Sequence, residues 1–305
     1  WPNFEKFTLH QNFRQAADLE YAQITSMIGE GRDGGVYDAT NRYHASVNVS
    51  NIVATQFSLN TLENSLQWIY PDIFAQDQHN ITDMASNMSK CAIVANTNDR
   101  VDFWNNEVQQ RMPPTAGNTY FSEDDLCDVH SHDRIREIMS QEFLHYCDKA
   151  DVPLHRLYLK VGDLCILMRN IDKATGLTNN QRVIIQDVRR FSVVVTIASD
   201  TTRTRHWIPR LKFRFTVPGT SFDMIRKQFP IKLAYAFTVH KAQGQEMRRV
   251  LIDTTTPTFA HGQLYVALSR IRHRSTIAAF VTPETIPLAD LHVENVVFPQ
   301  LVQNL

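Results

Sequence analysis

Leu233-Ala234-Tyr235-Ala236-Phe237-Thr238-Val239-His240-Lys241-Ala242-Gln243-Gly244-Gln245 decides the fold of this chain. Its first five residues form a short apolar run, the composition of a strand covered on both faces of a parallel sheet. Such a strand delivers Thr238 and His240 to the carboxyl edge of the sheet, where open α/β folds bind ligands. Gly244 follows, and a residue without Cβ lets the backbone approach a ligand closely.

Runs of the same kind lie on both sides of this stretch. Cys91-Ala92-Ile93-Val94-Ala95 is short and wholly apolar, and Asn96-Thr97-Asn98 can cap the helix that follows it. That helix carries Val101, Trp104, Val108 and Met112 on one side, and Pro113-Pro114 stops it. Val250-Leu251-Ile252 and Ile277-Ala278-Ala279-Phe280 repeat the strand pattern, with a helix expected around Gln263 to Ile271. Strand, polar turn and helix in alternation predict an α/β fold. Ala17, Tyr21, Ile24 and Ile28 mark an earlier helical face, ended by glycines from Gly29 to Gly35, and Leu59, Leu62, Leu66 and Ile69 mark another. Residues 116–150 read as polar and irregular. From Leu159 to Pro230 short β-rich runs follow one another without a useful helix, as in a small all-β barrel or sheet.

The balance of charges announces nothing: 31 Lys and Arg stand against 32 Asp and Glu, so any basic surface must be local. No apolar run reaches the roughly 18 residues that cross a membrane. The 4 cysteines form no CxxC pair, which fits free thiols in a reducing, intracellular compartment. Trp1 reads as a fragment boundary.

Ala236–Gln245 and Gly262-Gln263-Leu264-Tyr265-Val266-Ala267-Leu268-Ser269-Arg270 resemble, in order and spacing, motifs five and six of superfamily-one DNA helicases in their Pif-one and Helitron-encoded form. Leu9–Gln15 resembles motif four, Cys91–Asp99 the family's strand and turn with Asn96 where proline is usual, and Tyr120-Phe121-Ser122 its tyrosine–serine strand. Leu159–Asn170 and Gly176-Leu177-Thr178-Asn179 look like the inserted barrel, with Asn179-Asn180 in place of the usual Asn-Gly turn. The resemblance implies a RecA-like parallel sheet of the P-loop NTPase type, the second motor domain, over 1–158 and 231–305. It implies a small all-β barrel similar to Src-homology-3 folds, inserted at 159–230.

The same resemblance implies an ATP-dependent helicase moving 5′ to 3′. ATP and Mg2+ would be held mainly by another RecA-like domain, expected before Trp1. Arg14 and Arg270 would act as arginine fingers, which neutralise charge on a transferring phosphoryl group. Gln243, Gly244 and Glu246 would lie on the nucleotide side. Thr97, Asn98, Thr238, His240 and Lys241 would hold phosphates of single-stranded DNA. The family also implies a nuclear setting. This chain has no phosphate cradle: Gly29 to Gly34 has the glycine spacing, but Gly35 and Val36 follow instead of Lys and Ser or Thr.

The residues themselves leave alternatives open. Arg270 reads either as a solvated cation at a helix end or as a charge that reaches for a phosphate. Glu246 suits a ribose hydrogen bond or a solvated helix carboxylate. Residues 203–227 hold Arg203, Arg205, Arg210, Lys212, Arg214, Arg226 and Lys227 with Trp207, Phe213, Phe215 and Phe222. They read as a stacking track for single strands or as half-buried strands with charged outer faces. Cys127-Asp128-Val129-His130-Ser131-His132-Asp133, with His145 and Cys147, has zinc-ligand residue types, but its spacing guarantees no convergence, and no metal is assigned. A second function class therefore stands beside the helicase: a catalytically dead, nucleic-acid-binding relic of a mobile element. Intact Arg14, Gln243 and Arg270 favour the helicase.

Overall fold

The computed structural model describes residues 15–32, 36–37, 43–53, 58–75, 80–127, 140–149, 151–281 and 292–298. The chain divides into two compact units. The first joins Trp1–Pro71, Lys90–Trp104 and Ala236–Leu305, and the second joins Asp72–Ser89 and Asn105–Tyr235.

The first unit is built on a five-stranded sheet ordered Ala236–Thr238, Cys91–Ala95, Arg249–Asp253, Ile277–Phe280 and Ser58–Leu59. Every neighbouring pair is parallel. All five residues of Cys91–Ala95 are buried, as a strand covered on both faces requires. Leu59, expected to lead a helical face, instead ends an edge strand; the helix is Leu62–Ile69, capped by the Thr61 side chain on Asn64 N. Helix Leu19–Glu30 begins at Asp18 and stops at left-handed Gly31. It buries Tyr21, whose hydroxyl donates to Leu268 O at 2.9 Å. A second, antiparallel sheet of Val36–Tyr37, Tyr43–Asn48 and His292–Val297 had no counterpart in the sequence reading.

The second unit is mainly antiparallel. Its five-stranded sheet runs His206–Pro209, Ser192–Ile197, Arg182–Val188, Leu164–Leu167 and Ile231–Leu233. A three-stranded sheet holds Leu211–Thr216, Asp223–Gln228 and Glu123–Leu126, and Gly117–Phe121 pairs with Arg156–Lys160. Gly117–Phe121 and Glu123–Leu126, irregular by composition though the family resemblance put a strand at Tyr120-Phe121-Ser122, are therefore strands. Tyr120, Ser122, Asp124 and Leu126 turn in, while Asn118, Phe121, Glu123 and Asp125 face outward. Asn180 carries φ +65° in the turn where the family resemblance expects glycine; among non-glycine residues asparagine is one of the readiest to adopt that conformation.

Leu233–Phe237, expected as one strand, is split. Ile231–Leu233 joins the antiparallel sheet and Ala236–Thr238 the parallel one. The break is held from within the second unit: Ala234 N donates to Leu164 O at 2.9 Å, and Arg182 Nη2 donates to Ala234 O at 2.7 Å. The Tyr235 hydroxyl donates to the buried carboxylate of Asp163 at 3.0 Å. Asp163 also accepts from Gln109 Nε2 at 2.5 Å and Lys160 N at 2.9 Å.

Of the basic and aromatic residues of 203–227, Phe213 and Phe215 point inward and Lys212 and Arg214 outward, the pattern of a half-buried strand. Arg226 is not surface at all. It is 0% exposed and grips Asp124, also 0% exposed, with Nη2 at 2.9 Å. Nη2 also reaches the carbonyls of Leu144 and His145, and Nη1 reaches Pro153 O and the Asp148 carboxylate.

Two outcomes follow for the second unit. Arg226→Met strands a buried carboxylate and lowers stability by about 3–5 kcal/mol in urea unfolding, whereas Arg226→Met with Asp124→Leu recovers most of the loss; a double variant no better than the single one contradicts this. Burial pushes the Asp163 carboxyl up from 3.8 to about 6. Between about pH 4 and 6 the unfolded chain loses this proton while the folded chain keeps it, so stability falls as pH rises through that window and then levels off. Asp163→Asn is expected to remove that one-proton slope from urea midpoints measured at several pH values.

Candidate functional site

The pairing of Thr238 with Ala95 places two chain segments at one carboxyl edge of the parallel sheet. Asn96-Thr97-Asn98 leaves from one strand and Val239-His240-Lys241 from its neighbour. Thr97, Thr238 and Lys241 are half-buried, and Asn98 and His240 are exposed. Val239 and Ala242 are buried in the one-turn helix Val239–Ala242, which starts at Thr238. Thr238 makes no side-chain capping bond. The edge thus presents hydroxyl, amide, imidazole and ammonium groups, the donors that suit phosphate oxygens.

Four residues that the sequence reading left unassigned to the site hold this edge in shape. Asn96, 7% exposed, donates from Nδ2 to Thr256 O at 2.7 Å, so the turn that proline usually stiffens is tied by a side chain instead. Asp253 ends its strand with a carboxylate that is 0% exposed. It accepts from Arg100 Nε and Trp104 Nε1, each at 2.7 Å, and from Thr255 N at 2.9 Å. Trp104 packs edge-on against Phe280, ring centres 5.0 Å apart. The available signal was an acid placed directly after the apolar run Val250–Ile252.

Gln243 and Gly244 are exposed, and Gly244 has φ +82° with open space where a Cβ would stand. A nucleotide can approach that backbone closely. Glu246 is exposed and paired with Arg272 Nε at 2.6 Å, a surface ion pair. Arg270 lies just past helix Gln263–Leu268 and is 7% exposed, so the solvated reading does not hold. Its Nε donates to Val266 O at 2.8 Å, Nη2 to Ser269 Oγ at 2.5 Å and Nη1 to Gln245 O at 3.4 Å. A cation against carbonyls at a helix C-terminus is favoured by the helix dipole. Met247 N also donates to Arg270 O at 3.1 Å, so the Gln243–Glu246 and Gly262–Arg270 segments are joined through both backbone and side chain. Arg14 lies outside the described residues, as do His130 and His132.

Of the described residues singled out for zinc-ligand chemistry, only His145 enters a convergent group, and its partners are others. Asp124, His145 and His155 bring one ligand atom each within 4.8 Å of the others. The Asp124 carboxylate is already engaged by Arg226 and by Ser122 Oγ at 2.6 Å. The two imidazoles stack at 3.7 Å and 13°, so their in-plane lone pairs do not aim at a common point. Desolvation, then the neighbouring His145, pulls the pKa of His155 below its ordinary value. The geometry is that of a packed polar cluster.

Comparison with known proteins gives consistent matches. Residues 233–278 match the UvrD-like helicase C-terminal domain, and residues 142–188 match the DNA helicase Pif1 2B domain. The ATP-dependent DNA helicase Pif1 of Campylobacter jejuni is 49% identical over 138 residues, 42% of this chain and 30% of that protein. The mouse ATP-dependent DNA helicase PIF1 is 32% identical over 179 residues, 54% of this chain and 25% of that protein. The chain therefore spans well under half the length of these relatives. In fold it is similar to Pif1 helicase from Candida albicans (TM-score 0.55, 20% identity, 88% of this chain and 55% of that one). It is equally similar to Pif1 helicase from Bacteroides in complex with ADP-AlF3 and ssDNA (TM-score 0.55, 18% identity, 92% and 54%). Two helicase family models are thus matched in separate segments, and the chain is similar in sequence and in fold to parts of Pif1 helicases.

Proposed function

We propose that this chain is the C-terminal motor portion of an ATP-dependent DNA helicase that moves 5′ to 3′. In this reading 1–158 and 231–305 make up the second RecA-like domain, and 159–230 an inserted barrel of the Src-homology-3 kind. The observation that carries the reading is the common sheet edge, where Thr97 and Asn98 stand beside Thr238 and His240. Thr97, Asn98, Thr238, His240 and Lys241 bind backbone phosphates of single-stranded DNA, which gives affinity without sequence readout.

Gln243, Gly244 and Glu246 face the nucleotide, and the open backbone at Gly244 fits that task. ATP and Mg2+, held by another RecA-like domain, supply the phosphoryl group and its charge neutralisation. Arg14 and Arg270 are the fingers. For Arg270 this means exchanging Gln245 O, Val266 O and Ser269 Oγ for phosphate oxygens. Because Gln245 borders the DNA-side segment, the exchange gives that segment a mechanical link to nucleotide state. A nuclear, reducing compartment goes with this role.

The DNA half is tested on the chain itself. Thr238→Ala and Lys241→Ala weaken binding of a thymidine oligonucleotide, and Lys241→Ala flattens the salt dependence by about 0.7 in log–log slope, one single-strand phosphate's worth. Unchanged affinity in both variants sinks the assignment. The catalytic half is tested by phosphate release. The chain alone turns over no ATP, and in a protein carrying both motor domains Arg270→Ala lowers kcat by roughly 10³-fold with single-strand affinity kept. Turnover indifferent to Arg270 overturns the finger assignment, and no turnover in the two-domain protein favours the inactive relic.

A further inference from the structure

Arg100 has no role in the reading above, yet it stands beside the proposed phosphate donors. Val101 N donates to Thr97 O at 3.2 Å, so Thr97 opens the ladder of helix Asn98–Arg111. Thr97, Arg100 and Phe103 then recur every third residue, the spacing of neighbours on one helical face. Arg100 is fixed at one nitrogen only, with Nε donating to Asp253 Oδ2 at 2.7 Å. Its Cζ lies 4.5 Å from the ring centre of Phe103, which is 37% exposed. Among the described residues neither terminal nitrogen has a hydrogen-bond partner.

An arginine used only to neutralise a buried carboxylate is expected to place its fork on it, because the two-pronged pair is stronger and more directional. Arg226 does this, spending Nε and Nη2 on Asp124 and its remaining donors on other acceptors. Asp253 does not depend on Arg100 in the same way. It keeps Trp104 Nε1, Thr255 N and Thr255 Oγ1 as donors. Arg100 is 24% exposed, and its fork is left over.

We propose that Arg100 is a further single-strand phosphate contact, its guanidinium oriented by Asp253 through Nε and backed by the Phe103 ring, with both terminal nitrogens committed to the strand. The inference rests on the DNA-binding reading of the same edge. A planar fork held at one corner meets a phosphate with two N–H groups and little further loss of rotamer freedom, which lysine cannot reproduce. The ring behind it adds a cation–π contact.

The test is anisotropy of a labelled thymidine oligonucleotide at several salt concentrations, on the whole chain. Arg100→Gln keeps a donor for Asp253 and loses the charge. It is expected to bind about tenfold more weakly, with the salt slope flatter by about 0.7. Arg100→Lys is expected to keep the slope and bind severalfold more weakly, and Phe103→Ala to weaken binding with the slope unchanged. Far-UV circular dichroism checks folding. Folded Arg100→Gln with the wild-type slope overturns the inference while the DNA reading stands. If Arg100→Gln does not fold, Arg100→Lys decides, and wild-type affinity in that variant overturns the inference. A wild-type chain with no salt-dependent binding overturns the DNA reading itself.

Discussion

The register that sets Ala236 beside Ile93, Phe237 beside Val94 and Thr238 beside Ala95 is the constraint from which the rest follows. Parallel neighbours cannot be joined by a tight turn; the chain must leave the sheet and return. Here the excursion runs through nearly all of the second unit, Asn105–Tyr235. Closing so long a loop costs only slightly more than closing a moderate one. An independent core can therefore fold inside the excursion without undoing the sheet. The return point is also where an apolar run breaks between Leu233 and Ala236, because the carbonyl and N–H of Ala234 are claimed by Arg182 and Leu164.

Buried charge organises both units, in different ways. Asp124 and Arg226 form a fully buried pair, with Arg226 also reaching Asp148, an arrangement that costs stability when half of it is removed. Asp253 is met by one cation and several neutral donors, so its arginine keeps spare capacity. Asp163 takes its hydrogen bonds from neutral donors, and desolvation outweighs them and the nearby Lys160 charge in its proton affinity. The three acids show that burial alone does not specify a role. The donors around each one do.

The edge of the parallel sheet joins these themes to function. Asn96 and Arg100 are tied to the end and exit of the Arg249–Asp253 strand, and Thr97 and Asn98 lie between those anchors. Arg270 is tied to Gln245, which follows the Thr238–Lys241 donors in sequence. A strand of nucleic acid at this edge and a nucleotide near Gly244 would then meet parts of one connected backbone. That connection gives the helicase reading its mechanical content.

Periodicity and composition by themselves settled the parallel-sheet strands at 91–95, 250–252 and 277–280 and the helical face of Val101, Trp104, Val108 and Met112. These segments bury contiguous apolar surface, and burial leaves a local mark in sequence. The two motifs were legible for a similar reason, since each pairs an apolar run with polar residues at fixed offsets. Other features were decided only in the tertiary structure. The strands at 117–121 and 123–126 are short, with partners far away in sequence, so composition does not distinguish them from a loop, and only the family resemblance marked Tyr120-Phe121-Ser122. Arg226 reads as one more surface cation until the carboxylate of Asp124 is brought to it. Arg270 reads as solvated or reaching until its guanidinium is seen folded onto carbonyls. Asp253 and Arg100 are ordinary charged residues in sequence, and their meaning depends on contact across more than a hundred positions. Hydrophobic burial is written residue by residue, whereas the satisfaction of a buried polar group depends on which partners the completed fold brings within hydrogen-bond distance.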